Sequence, residues 1–344
     1  MISEPRPLPP EVLRTTTPAA RHMPTVGVAF DGRNTLQAAR AQAQAAEAAG
    51  VTNLWVASHL FLRDPVSSAA VLLAATHRVH ITLMAMSPQV MHPVHMAMAA
   101  MTLEELAPGR VTLCLGTGAP GDLADAGVEA KRPLRLLTEA IEAVRLLLSG
   151  APATYAGALI RLHGRRMATP APQVPIYLAA SRPKTLALAG RIADGVVLST
   201  ASSVEFVRWS LDHVERGAHG RQVGRAGLVY AYASDTTAEA LGRFRRQLGI
   251  TLRGPHHATN LALAGSHMDQ AAVREAMARE DWAAFDMLVT DDTVRRHTAC
   301  GTPDELCQRL EAYRAAGLDE IVLAGLYTAE ETTRSADLAF GRKA

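Results

Sequence analysis

Residues 81–120 read ITLMAMSPQV MHPVHMAMAA MTLEELAPGR VTLCLGTGAP. An apolar run from Ile81 to Met86 stops at Ser87-Pro88. Pro93 then opens a pattern in which Val94, Met96, Met98, Met101, Leu103 and Leu106 recur at helical spacing. Pro108-Gly109 ends it, Val111 to Leu115 is apolar again, and Gly116-Thr117-Gly118 follows. Strand, crossover helix, strand and loop make a βαβ unit, whose strands lie parallel. In such folds functional groups gather in the loops after the carboxyl ends of the strands, here Ser87 to His92 and Gly116 to Gly121.

Working outward, the same alternation repeats. Thr25 to Phe30 and Asn53 to Ala57 read as the first two strands, separated by an alanine-rich helix from Leu36 to Ala49 that Gly50 closes. Pro65 opens a helix through Thr76. Beyond Gly121 the pattern predicts a long polar loop, a helix over 132–148 and a small hairpin over 153–166. Strands follow at 174–179, 196–199, 228–233 and 320–324, alternating with helices. The stretch 249–302 reads as irregular and helix-biased, without a strand. Eight strands alternating with helices predict an α/β fold, a single (β/α)8 TIM barrel over 24–330. A helical insertion at about 249–302 precedes the last unit, a proline-rich extension covers 1–23, and a C-terminal helix or tail covers 331–344.

Composition narrows the function classes. The 344 residues are 48% apolar and 20% charged, enough for a large core. A net charge of +2 with interspersed signs gives no nucleic-acid footprint. No apolar run reaches membrane-spanning length, and Glu4 with the early prolines leaves no apolar signal segment. The three cysteines, Cys114, Cys300 and Cys307, form no C-x-x-C pair, so the expected compartment is the reducing cytoplasm and Cys114 reads as core.

Three motifs in order now carry a resemblance. Leu54-Trp55-Val56-Ala57-Ser58-His59 with Arg63-Asp64-Pro65 is one. His92-Pro93 through Pro108-Gly109-Arg110-Val111 to Gly116-Thr117-Gly118 is another. The last is Pro175-Ile176-Tyr177-Leu178-Ala179-Ala180-Ser181-Arg182-Pro183-Lys184, ending in Ala193-Asp194-Gly195-Val196. Together they resemble the bacterial luciferase-like superfamily of flavin- and deazaflavin-dependent oxidoreductases, nearest the methylenetetrahydromethanopterin reductase-like subgroup. The resemblance implies FMN or coenzyme F420 at the carboxyl ends of the barrel strands, with hydride transfer to, or monooxygenation of, a small organic substrate. It also implies a homodimer or higher homo-oligomer.

The residues that would carry this chemistry sit after strands. His59 is the first candidate for catalysis, because a histidine can donate to a ring carbonyl or move a proton near neutral pH, and the family has a functional histidine at the matching position. Asp31, after the first strand, is the second candidate. Ser58 stands where relatives usually carry an acid, and Ala119 where several deazaflavin relatives place a glutamate. Candidates for holding the ring are Ser58, the end of the third strand at Met84, Ala85 and Met86, and the loop Gly116, Thr117 and Gly118. At the third strand the family has a bulge, often with a non-prolyl cis peptide. Ala180, Ser181 and Arg182, ahead of the Pro183 helix, are candidates for the cofactor phosphate, with Ser199 and Thr200 beside them. His92, His95, Asp125 and the pair His256 and His257 show no metal-ligand spacing.

Two other readings compete. A barrel that binds flavin without catalysis fits the missing acids at Ser58 and Ala119. An NAD-dependent dehydrogenase fits Gly116-x-Gly118-x-x-Gly121, although Pro120 interrupts that fingerprint and it follows the fourth strand instead of the first.

Overall fold

A computed structural model describes residues 25–171 and 174–342. The extension expected over 1–23 lies outside the described residues. The chain begins β1 (Thr25–Phe30), α1 (Leu36–Ala48), β2 (Asn53–Ala57), α2 (Pro65–Ala75), β3 (His80–Met86), α3 (Pro93–Leu106) and β4 (Val111–Leu115). It continues with α4 (Pro120–Asp125), α5 (Pro133–Leu148), β5 (Ala153–Ala156), β6 (Arg161–Arg165), β7 (Ile176–Ala179), α6 (Pro183–Ile192), β8 (Gly195–Leu198), α7 (Val204–Ala218) and β9 (Gly224–Ala233). The last part holds α8 (Thr237–Leu252), a 3₁₀ turn (Pro255–His257), α9 (Ala258–Ala264), α10 (Gln270–Ala278), α11 (Trp282–Leu288) and α12 (Asp291–His297). It ends with β10 (Ala299–Gly301), α13 (Pro303–Ala315), β11 (Glu320–Ala324) and α14 (Ala329–Ala339).

Helix starts follow local chemistry. Asp64 accepts the Ser67 N–H and Pro65 fills the first turn of α2, while His92 and Pro93 do the same for α3. Thr302 and Glu305 form a reciprocal capping box on α13.

Strands β1, β2, β3, β4, β7, β8, β9 and β11 pair in parallel, and the contact of β8 with β9 closes the ring through β11 back to β1. This is the expected (β/α)8 barrel. A doubly wound sheet would leave two open edges, so the alternative built on the glycine fingerprint loses its fold. Side chains alternate across each strand. Leu54, Val56, Leu113, Leu115, Val196, Leu198, Ile321 and Leu323 belong to the outer core under the helices. Their neighbours Trp55, Cys114, Val197, Ala226, Leu228 and Val322 form a separate inner cluster that fills the barrel. Cys114 belongs there, fully buried, and burial pushes its thiol far above the usual range.

Several expectations need correction. The polar loop after Gly121 contains α4, which Pro120 opens at its first turn. The segment 249–302 is helical as expected but ends in the short strand β10, which pairs in parallel with β9 outside the ring. The fifth barrel strand, β7, begins at Ile176, and the seventh, β9, begins four residues before Leu228. The hairpin of β5 and β6 is present and antiparallel. Buried Glu139 accepts three N–H groups from the hairpin loop, at Ala158, Leu159 and Ile160, and so ties it to α5.

Candidate active site at the barrel mouth

The barrel interior narrows upward to small side chains. Trp55 fills the middle, fully buried, with its ring edge-on to Tyr177 at 5.9 Å. Ala29, Met84, Ala85 and Ala179 pack onto this inner cluster and are only partly buried, so they face the mouth. Gly116 completes the floor. A Cβ added there would lie 2.9 Å from the Ala85 Cβ and 3.5 Å from the Ala179 Cβ. Any side chain at 116 would therefore collide with the floor. The strand register of β3 against β4 shifts between Leu83 and Met86, and the Met84–Ala85 peptide is cis.

The rim carries the polar groups. His59 follows β2 and is 53% exposed in its side chain. Its Nδ1 lies 3.9 Å from Oδ2 of Asp122 on α4, near enough for electrostatic interaction but not for a direct hydrogen bond. The expectation of a polar loop after Gly121 hides Asp122, which lies in the first turn of the short helix α4. The available signal was Pro120, which favours a helix start, followed by an aspartate in the first turn. Gly118 has φ +85, and an added Cβ would lie 2.9 Å from Cδ1 of Leu123 and 3.0 Å from Oγ of Ser87. Glycine thus lets α4 fold down against the third-strand loop.

Other candidates separate. Ser58 is half-buried beside the mouth, and its N–H donates to the Met84 carbonyl. Thr117 is half-buried beside the floor. Met86 and Ala180 belong to the outer core instead, so their side chains do not join the floor. Asp31 lines a cleft beside the mouth with Asn34, Gln42, Arg63 and Tyr327. Its carboxylate pairs with Arg33 at 2.7 Å and accepts the Tyr327 hydroxyl at 3.1 Å. Burial, with the charge of Asp31, holds the Tyr327 phenol above its ordinary range.

On the far side of the mouth, β7 and β8 pair through Ala179 and Val197. Continuing that register by two residues brings Ser181 level with Ser199. Arg182 is exposed at the start of α6 and makes no side-chain cap bond there. His256, from the helical segment, lies nearby. Burial, followed by the charges of Arg182 and Arg253, holds its pKa below the ordinary value. This edge of the mouth is therefore cationic and rich in donors.

Comparison with known proteins agrees with this architecture. The family model described as luciferase-like monooxygenase matches residues 13–320. A 5,10-methylenetetrahydromethanopterin reductase of Methanolobus tindarius is 28% identical over 309 residues, covering 87% of this chain and 93% of its own. An F420-dependent glucose-6-phosphate dehydrogenase of Beutenbergia cavernae is 30% identical over 303 residues, covering 80% and 84%. The solved structure of the coenzyme F420-dependent tetrahydromethanopterin reductase of Methanopyrus kandleri superposes with a TM-score of 0.84 at 19% identity, over 92% of this chain and 97% of that one. The chain belongs to the luciferase-like monooxygenase family of oxidoreductases.

Proposed function

We propose that this protein binds FMN or coenzyme F420 with the ring on the floor of the mouth, and acts there on a small organic substrate by hydride transfer or monooxygenation. The observation that carries this reading is the floor itself, where Gly116, packed against Ala85 and Ala179 with no room for a side chain, leaves a smooth apolar surface on which a flat ring can lie. The name of the Beutenbergia cavernae relative favours F420. When bound, the ring would give or take the hydride, or supply the electrons for oxygenation. The protein's part is to hold the ring, to exclude water and to place a proton. Trp55 and the inner cluster keep the underside dry. His59 hydrogen-bonds the ring or passes a proton to or from the substrate, and Asp122 supplies the acid absent at Ser58 and Ala119. Ser181 and Arg182, with Ser199 and Thr200 beside them, hold the phosphate.

The test is an ultraviolet–visible and calorimetric titration of the purified protein with FMN, with F420 and with NAD. Binding of one flavin, with quenching of Trp55 fluorescence, is expected. Tight NAD binding with neither flavin bound rejects the reading. Flavin binding without steady-state turnover of any reduced cofactor would favour the non-catalytic barrel.

A further inference from the structure

The turn after β8 is held by side chains from the helical insertion and from α13. Ala201 sits at its corner with φ 63, a left-handed conformation that costs a non-glycine residue on the order of 1 kcal/mol. Its carbonyl accepts two bonds at once, from Asn260 Nδ2 at 2.7 Å and from the His297 ring at 2.9 Å. A carbonyl only accepts, so His297 Nδ1 carries the hydrogen, and Nε2 takes the Ser266 hydroxyl at 2.9 Å. Asn260 Oδ1 also accepts the Ser203 N–H at 3.0 Å, and the Tyr313 hydroxyl donates to the Ser202 carbonyl at 2.8 Å. Ser202 Oγ donates to the Ser199 carbonyl at 2.8 Å. Asn260, His297 and Tyr313 are at most 1% exposed.

Apolar packing would stabilise a plain turn as well, without the desolvation of three buried polar side chains. What the hydrogen bonds add is orientation. The carbonyls of Ser199, Ala201 and Ser202 are all engaged by protein donors. The hydroxyls of Ser199 and Thr200 and the Thr200 N–H have no hydrogen-bond partner among the described residues. Ser199 is exposed and Thr200 half-buried, and the register of β7 with β8, continued two residues beyond Ala179 and Val197, puts Ser199 level with Ser181. With those three carbonyls turned onto protein donors, the two hydroxyls and the Thr200 N–H are left to offer hydrogens to an anion.

We propose that Asn260, His297 and Tyr313 are positioning residues. They hold the turn after β8 so that the donors of Ser199 and Thr200 bind an anionic group, a phosphate or carboxylate, of the cofactor or the substrate. The inference rests on the flavin reading only for the identity of the cofactor. It assigns the helical insertion a role in setting the geometry of ligand capture.

The experiment compares the affinity of wild type, Asn260→Ala, His297→Leu, His297→Asn and Tyr313→Phe for each cofactor and for its phosphate-free riboside. Inorganic phosphate is titrated into the free and the flavin-saturated proteins, and near-ultraviolet circular dichroism checks folding. If the anion is the cofactor's phosphate, Asn260→Ala and His297→Leu weaken FMN or F420 binding roughly tenfold or more and leave riboside binding unchanged. If it is a substrate group, cofactor binding holds and inorganic phosphate no longer binds the flavin-saturated variants. His297→Asn, which keeps a donor at the Nδ1 position, stays close to wild type in either case. Should His297→Leu fail to fold, Tyr313→Phe reads the same effect at smaller size. Equal loss of cofactor and riboside, no loss in any folded variant, or a wild type that binds cofactor no tighter than riboside and no inorganic phosphate overturns the proposal. A wild type that binds phosphate but neither flavin rejects the cofactor reading alone.

Discussion

The loops after the second and the sixth barrel strands face each other across the mouth and are built in opposite ways. The second-strand loop is open. His59 is 53% exposed, Phe61 is 73% exposed with φ 64, and His59 has only a loose approach to Asp122. The sixth-strand loop is locked from behind by Asn260, His297 and Tyr313. On the proposed roles, the two loops divide the labour. A group that moves a proton must meet a substrate and release it, so it tolerates freedom. A group that recognises a fixed charge gains from being held, because less conformational freedom is lost on binding.

The largest effect is expected at the open loop, where the proposed chemistry lies. His59→Ala should lower turnover about a hundredfold while cofactor affinity stays nearly constant. His59→Gln keeps a donor but cannot pass a proton, so its turnover should fall between wild type and His59→Ala. A His59→Ala enzyme of full rate would break the comparison at once and move attention to Asp31. Asp31 already carries Arg33 and Tyr327 and would have to give up one of them.

The second effect belongs to the cationic edge beside the locked loop. A charge-assisted contact to phosphate is worth about 1.5–3 kcal/mol, so Arg182→Ala should weaken cofactor binding roughly tenfold to a hundredfold. Calorimetry of both cofactors checks this. Unchanged affinity would leave the phosphate to Ser199 and Thr200 alone.

The same contrast explains what the sequence revealed. β1, β2, β4, α3 and β11 lie where the apolar runs and the proline and glycine signals placed them, because each is decided within its own few residues. His59, Gly116 and Gly118 were legible for the same reason: they directly follow strands. β10 has three residues and α4 six, too short for either period to register. Asp122 was lost with α4. The lock on Ala201 joins residues 59 and 96 positions apart, and no local pattern encodes such a contact. The barrel interior was hidden in another way. Parallel strands are apolar on both faces, so Trp55 and Cys114 look no different in sequence from Leu54 and Leu113.

The smallest effect concerns the base of the barrel, beneath both loops, and serves as their control. Glu320 opens β11 and its carboxylate accepts the Trp55 indole N–H at 2.9 Å. Burial pushes its pKa up to about 7 from the ordinary 4.5. Between those values the folded protein keeps a proton that the unfolded chain has released, so the contribution of Glu320 is full below pH 4.5 and is lost as pH rises toward 7. His297 works in the other sense. Burial holds it down to about 4, so its contribution is lost as pH falls from 6.5 toward 4. Wild-type stability sums the two, and a Glu320→Gln variant separates them. Because solvent reaches part of the Glu320 side chain, the difference should be modest, on the order of 1 kcal/mol. Urea unfolding at several pH values should show wild type losing stability relative to Glu320→Gln between pH 4.5 and 7. Cofactor affinity should stay the same, since no residue of either loop touches the substituted group. A parallel pair of curves would mean that Glu320 is ionised in the folded barrel. A loss of cofactor binding would mean that the floor transmits changes at the base to the mouth, and the two loops could then no longer be treated as independent.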